Sequence, residues 1–305
     1  MKLTANIFSL LAIFGFIFFT GCEEVDDPYS HIDEVIDDFG DPAFNDTNWN
    51  DTNFTGRVIM LEDFTGHTCH NCPRGTDIGE DLMELHPDNL IVTAIHNSDG
   101  FSKPELPKYP ANFETETGEN IRLNFGLNFF PIAMINRHDF NGNNSRGVSV
   151  ELWTDYVNQL LDDPQYMDPS LDIDYMLIYN TENRLLRIFP KVSVNKAISG
   201  DVYLNVFIAE NGIVSPQKDS RYNPEYIEDY VHNHMLRAGF EQNEVGVPIF
   251  SSPQAGEVYR NDNVATADYI IDNEWIVDSM DVIVYAYNLD SQEILQVSKT
   301  KIIKE

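Results

Sequence analysis

Two of the chain's three cysteines stand two residues apart in Asp63-Phe64-Thr65-Gly66-His67-Thr68-Cys69-His70-Asn71-Cys72. The apolar run Val58 to Leu61 ahead of them reads as a strand that ends at an acidic residue and a turn. A helical pattern through Ile78, Leu82, Met83 and Leu85 follows. A thiol at a helix N-terminus meets unpaired backbone N–H groups and the positive end of the dipole, both of which favour thiolate. A free thiol of pKa about 8.5 is about 3% ionised at neutral pH, and lowering that pKa to about 7 ionises half. Such a pair suits disulfide exchange, with Cys69 as nucleophile and Cys72 resolving the mixed disulfide by intramolecular attack. The competing reading is a structural staple. Closing so short a loop restrains the unfolded chain little, by about 2 kcal/mol against about 3 for a fifteen-residue loop.

Neighbouring residues supply the proton chemistry. Asp63 at the strand end, if buried, has a raised pKa and accepts a proton from Cys72 during exchange; otherwise it is one exposed acid among many. His70 between the cysteines, when protonated, stabilises the Cys69 thiolate, and His67 reads as a loop residue. A zinc site built from His67, Cys69, His70 and Cys72 is disfavoured, because four ligands within six residues hardly converge on one tetrahedron. No Ser-His-Asp set, phosphate loop or dinucleotide fingerprint stands out, so neither a cofactor nor a metal is expected. Asp139-Phe140-Asn141-Gly142-Asn143-Asn144-Ser145 is rich in oxygen ligands but lacks the spacing of a calcium loop, and reads as a turn.

Cys22 speaks for the compartment. Residues 1–21 carry one lysine, Lys2, then an apolar run from Ile7 to Phe19 and the ending Phe19-Thr20-Gly21-Cys22. This reads as an export signal, and it resembles the lipobox of bacterial lipoproteins, in which the cysteine is lipidated and becomes the mature N-terminus. An ordinary secretory signal with a chance cysteine is the alternative. The apolar run falls short of the ~20 residues that span a bilayer. Export implies an oxidising compartment, where a Cys-x-x-Cys pair can work as a disulfide.

The chain of 305 residues has 19 basic and 50 acidic residues, a net charge of −31. An acidic surface repels phosphate backbones, so no nucleic-acid partner is expected, and it repels anionic lipid, leaving the acyl chains on Cys22 as the membrane contact. Residues 22–55 read as an acidic tether: 23–55 hold eleven Asp or Glu and no Lys or Arg, and repeat Asn-Asp-Thr-Asn at 45–48 and 50–53. A short helix is predicted around Ile32 to Phe39. The acidic run after Cys22 resembles tags that send lipoproteins to the outer face of the outer membrane; it also fits a plain hydrophilic spacer.

Residues 56–165 alternate strand and helix. Strands are predicted at Val58–Leu61, Leu90–Ile95 and after Pro131, and helices at Pro73–Leu85, Phe113–Leu123 and Val150–Leu161, which implies a mixed sheet covered on both faces. Residues 166–305 change to alternating apolar segments at Leu171–Tyr179, Leu185–Val194, Val202–Ile208, Ala267–Ile271, Val282–Tyr287 and Ile294–Ile303. They predict an antiparallel β-sandwich with one helical insert over Pro224 to Ala238.

The order strand, acidic residue, Cys-x-x-Cys at a helix start, then a later strand headed by proline resembles thioredoxin. The resemblance implies that Asp63 is the buried acid, that Cys69 and Cys72 are the redox-active pair, and that Pro131 in Asn128-Phe129-Phe130-Pro131-Ile132 is a cis-proline facing the disulfide. The sequence departs from thioredoxin at Thr68, where tryptophan is usual, at Pro73, and in the long stretch 97–125. More narrowly, the chain resembles the thioredoxin-like outer-membrane lipoproteins related to the outer membrane protein of twenty-eight kilodaltons. That likeness is carried by the signal with Cys22, the cysteine stretch, and Tyr230-Val231-His232-Asn233-His234-Met235-Leu236-Arg237.

The expectation is therefore an α/β thioredoxin-like domain followed by an antiparallel β-sandwich. The protein would be lipid-anchored in the outer membrane through Cys22, facing the surface or the periplasm, and would exchange disulfides with exported protein thiols. The alternative is a surface binding or assembly module with an idle disulfide, since one scaffold hosts many functions.

Overall fold

The computed structural model describes residues 56–98, 100–239, 246–260 and 267–302. The signal, Cys22, the tether and the helix expected at Ile32–Phe39 lie outside them. The described residues form a mixed α/β, β-rich structure with few helices.

β1 (Ile59–Phe64) runs into the cysteine turn and α1 (Cys72–Leu85). β2 (Leu90–Ile95) returns parallel to β1, in the register Leu61↔Val92. α2 (Glu116–Asn124) starts with Thr115 capping the Gly118 N–H at 3.0 Å, which satisfies one orphan donor of its first turn. β3 (Ile132–Ile135) then pairs antiparallel with β1, and β4 (Val148–Ser149) with β3. α3 (Trp153–Leu161) follows a short 3-10 turn.

The later strands are β5 (Leu171–Tyr179), β6 (Leu185–Val194), β7 (Asp201–Glu210), β8 (Ile213–Val214), β9 (Val231–His232), β10 (Met235–Ala238), β11 (Val247–Ser251), β12 (Val258–Arg260), β13 (Ala267–Ile270), β14 (Met280–Asn288) and β15 (Ile294–Lys301). The alternating segments thus form strands close to their expected bounds. The helical insert does not form. Pro224 to Ala238 instead carries β9 and β10. Tyr230, Val231 and His232 are stiff, aromatic or branched residues that suit a strand. His234 turns the chain with φ 55°, and β10 then fills the gap between β7 and β2. Sheet pairing overrides the local helical pattern.

That pairing makes one nine-stranded sheet in the order β15-β14-β7-β10-β2-β1-β3-β4, with β11 also on β7. The expected boundary near residue 165 therefore falls between segments that share a sheet. Along β7 and β14, Val202, Leu204, Val206, Ile208, Val282 and Val284 face the second sheet, in which β6 is flanked by β5 on one edge and by β12 and β13 on the other. The other face of β7 and β14 presents Phe207, Ile283 and Tyr285 to a core shared with Met60 and Phe64 of β1. A third core lies under α1 and α3, where Ile59, Leu61, Leu82, Trp153 and Val157 meet. β1 is buried along its whole length.

A buried ion pair stitches the shared sheet. After β3 the chain turns through Asn136 and Arg137, both at positive φ, and folds the Arg137 guanidinium back beneath β1. It donates to both carboxylate oxygens of Glu62, at 2.9 and 2.7 Å, and to the Tyr285 hydroxyl at 3.1 Å. Burial alone would lower the Arg137 pKa, but the Glu62 charge and the Tyr285 phenol hold it above its usual value. Gln296 of β15 adds a second seam: its side chain accepts the Val58 N–H at 2.8 Å and donates to the Gly56 carbonyl at 3.0 Å.

Removing one partner of such a pair strands a buried charge. Glu62→Ala is expected to lower the unfolding free energy by about 3–5 kcal/mol, read from urea denaturation of the full chain. A loss below about 1 kcal/mol, the range of an exposed pair, would contradict this account.

Candidate functional site

Cys69 and Cys72 are joined as a disulfide. Cys72 is the first residue of α1 and Pro73 the second, where a missing N–H costs no helical hydrogen bond. Cys69 precedes the helix in a tight turn, its N–H donating to the Gly66 carbonyl at 3.1 Å and its carbonyl accepting from Cys72 at 3.3 Å. Gly66 is forced by close packing: a Cβ there would stand 2.4 Å from Ser98 Oγ and 2.6 Å from the Phe101 carbonyl oxygen. Thr68 is tied to that same Phe101 carbonyl through its N–H at 3.0 Å.

Asp63 is 2% exposed, and its Oδ1 has no hydrogen-bond partner among the described residues. Strand alternation puts it on the face of β1 that bears Ile59 and Leu61, the face α1 covers. Desolvation pushes its pKa up to about 8, so the carboxyl holds its proton at neutral pH. Pro131 follows a cis peptide from Phe130 and stands against the first turn of α1, where a Cβ on Gly75 would lie 3.2 Å from its own Cβ. Phe130 and Pro131 with the exposed Phe129 line a cavity of about 340 Å³ that also touches His70, Asn71 and Arg74.

His70 is exposed, with Nδ1 3.6 Å from the Glu225 carboxylate. His67 lies in the turn before Cys69, as a loop residue would, but is fully buried there. It packs edge-on against Phe113 with ring centroids 5.4 Å apart, and His96 and His232 each approach the same ring at 5.3 Å. His232 lies in β9 and its Nε2 donates to the Ser215 carbonyl 3.2 Å away, while His234 is half-buried in the following turn. Burial lowers the pKa of all three clustered histidines, that of His232 to about 4. Asp139 closes a turn by accepting the N–H groups of Asn143 and Asn144 at 3.2 and 2.8 Å.

Several site residues escaped the sequence reading. Gln217 is buried and its side-chain nitrogen reaches the Gly66 and Cys69 carbonyls, both at 3.3 Å. Ser220 and Arg221 meet Asn71 and Asp77 beside the cysteines. Tyr230 lies by Thr76 and Asp63, its phenol pushed up to about 12 by burial and nearby acids. These residues are far from the cysteines in sequence, and no spacing rule links them. The one available signal was the Tyr230–Arg237 stretch, where Asn233 bonds Glu80 of α1 at 3.2 Å and Met235 pairs with Ala94 of β2.

The comparisons bear on this second half directly. A family model described as outer membrane protein Omp28 matches residues 119–305, more than half of the chain. The chain belongs to the Omp28 family. Membership carries an outer-membrane location, and among the described residues no helix is long and apolar enough to cross a membrane. The match takes in Pro131 and the Tyr230 stretch, while Asp63, Cys69, His70 and Cys72 precede it. In structure, this Omp28 family member is similar to HBP35 of Porphyromonas gingivalis, with 16% identity and a TM-score of 0.58 over 81% of this chain and 76% of that one. At that identity the likeness is one of fold. A looser similarity, with a TM-score of 0.44 and 12% identity over 81% of this chain and 96% of the other, links it to a protein of Agrobacterium tumefaciens. A domain of the outer membrane lipoprotein Omp28 from Porphyromonas gingivalis gives 0.28 and 10% over 45% of this chain and 91% of that one. No curated protein matches the chain in sequence.

Two pH responses of opposite sign follow. Folded Asp63 keeps its proton up to about pH 8, whereas the unfolded carboxyl releases it near 3.8. Its contribution to stability is thus full below 3.8 and lost as the pH rises through 8. Relative to Asp63→Asn, the wild-type chain is expected to lose up to about 1.4 kcal/mol per pH unit across that window and to level off above it. Parallel stability curves for the two proteins would refute a buried, protonated Asp63.

His232 acts the other way. The unfolded ring takes a proton near pH 6.5 that the folded ring refuses until about 4, so stability is full above 6.5 and falls as the pH drops toward 4. His232→Phe is expected to flatten the acid limb of a urea-midpoint profile by up to about 1.4 kcal/mol per unit, and an unchanged limb counts against the assignment.

Proposed function

We propose that the chain is a lipid-anchored outer-membrane protein that exchanges disulfides with exported proteins through a thioredoxin-like Cys69–Cys72 site. The observation that carries the reading is the buried, protonated Asp63 on the strand that feeds a disulfide at the start of a helix. The strand order β2-β1-β3-β4, with a helix after each of β1, β2 and β4, supports the thioredoxin-like part. The two sheets facing each other across one apolar core support the β-sandwich part. The export signal and Cys22 support the lipid anchor.

In the exchange, a substrate thiolate attacks Cys69 Sγ. The Cys69–Cys72 bond breaks and its electron pair leaves on Cys72 Sγ, which takes the Asp63 proton. A second substrate thiolate then attacks the substrate sulfur of the mixed disulfide, forming the substrate disulfide and releasing Cys69 as thiolate. The substrate loses two electrons and the protein gains them; run backwards, the same steps reduce a substrate disulfide. His70 beside Cys69 supplies positive charge when protonated, and Pro131 with the two phenylalanines offers an apolar lip for extended polypeptide. The rival reading, a binding or assembly module with an idle disulfide, draws on the burial of both cysteines, 4% and 0% exposed. Unchanged surface function in a folded Cys69→Ser/Cys72→Ser double variant would favour it.

Cys72→Ser is expected to trap mixed disulfides through Cys69, visible as adducts released by reductant. A disulfide potential below about −300 mV, the range of resistant structural bridges, would rule out exchange.

A further inference from the structure

We propose that the hairpin Ile213–His232 is a flap that closes over the disulfide and excludes protein-sized thiols until it lifts. The proposal deepens the exchange reading, and only its exchange arm rests on that reading. The hairpin leaves the large sheet after β7 and returns into β10. Its stem is the β8–β9 pair, extended by reciprocal 2.9 Å hydrogen bonds between Gln217 and Ile227. Its tip lies along the cysteine turn. The Lys218 N–H donates to the His67 carbonyl at 2.8 Å and the Ser220 N–H to the His70 carbonyl at 2.9 Å. Together with the Gln217 side chain, these contacts occupy the carbonyls of Gly66, His67, Cys69 and His70. A partner polypeptide would need to approach that same turn.

The tip also latches onto α1. Arg221 bridges Asp219 beside it and Asp77 on the helix, and Ser220 Oγ donates to Asn71 Oδ1 at 3.3 Å. With the tip down, the cavity at the Phe130–Pro131 lip ends against Asp219, Ser220 and Arg221, and neither cysteine lines it. The side chains of the Arg221–Asp77 latch are 48% and 49% exposed, so solvent competes for that contact to α1, while Asp219 under Arg221 is buried. The stem stays rooted by Ser215 and His232, both buried, with His232 Nε2 donating to the Ser215 carbonyl. This division between an anchored stem and a polar, solvent-exposed latch is what a hinged cover requires.

The test uses the full chain in detergent, reduced with a phosphine, with the Cys69→Ser/Cys72→Ser protein as blank. Thiol modification is timed with N-ethylmaleimide and with a maleimide carried on a large polyethylene glycol. The variants are Arg221→Ala, which cuts the latch, and Arg221→Ala/Ser220→Pro, which also removes the N–H donor to His70; melting curves establish that each folds. If the flap is closed most of the time, the large reagent's rate scales with the open fraction and rises about tenfold in the double variant, while the small reagent's rate changes less than about threefold. An unchanged ratio, or an equal rise for both reagents, overturns the flap. Oxidation of reduced, unfolded ribonuclease by the disulfide form is expected to speed up by the same factor. A selective gain in modification with no exchange in any variant keeps the flap and sinks the exchange reading.

Discussion

β1 is covered on both faces and hydrogen-bonded along both edges, and it carries two adjacent carboxylates. A charge in that position must find a partner or give up its ionisation. Glu62 and Asp63 point to opposite faces and resolve the problem differently. Glu62 takes Arg137, whose guanidinium completes a network with Tyr285 from the far half of the chain. Among the described residues Asp63 Oδ1 finds no such partner on the helix side, and burial keeps the carboxyl protonated. The reactivity available beside the disulfide is thus set by how deeply one strand is buried: the core under α1 and α3 covers the Asp63 face, and β7, β14 and β15 cover the Glu62 face.

Much of this was legible in the sequence where one segment decided the outcome. The cysteine turn, the acid before it, the proline-headed strand and the alternating segments each announce themselves within a dozen residues, because strand and helix periodicities are local. Pro224 to Ala238 was misread for the complementary reason: what makes Met235–Ala238 a strand is the open edge of β2 and the end of β7, neither of which is near in sequence. His67 read as a plain loop residue, and nothing in the sequence singled out His96. They are buried because Phe113, from the proline-rich stretch, gives them a common ring to pack on. Gln217, Ser220 and Arg221 carry no pattern at all, and only the folded chain brings them to the cysteines.

The family match and the candidate chemistry overlap incompletely. Residues 119–305 define membership, whereas four of the five candidate catalytic residues read from the sequence lie ahead of that span. The geometry explains how the two parts can still depend on one another. The Tyr230–Arg237 stretch contributes Tyr230 beside Asp63, Asn233 against α1 and Met235 to β2. Changes in that stretch can therefore reach the neighbourhood of the disulfide through packing against α1, β2 and Asp63.

The strand pairing between the halves is narrow: β10 meets β2 through the single register pair Met235↔Ala94 and the hydrogen bond from the Ala94 N–H to the His234 carbonyl. Its narrowness conceals what it protects. Leu90-Ile-Val-Thr-Ala-Ile95 is an almost wholly apolar strand whose outer edge has β10 as its neighbour. A fragment cut after the third helix would lose that neighbour and leave a short, uncharged edge of the kind that recruits other chains into intermolecular sheets. The part of the molecule that bears the cysteines is therefore poorly suited to excision, and a lineage that shed the later strands would have had to place lysine, proline or a covering helix at β2 to remain soluble.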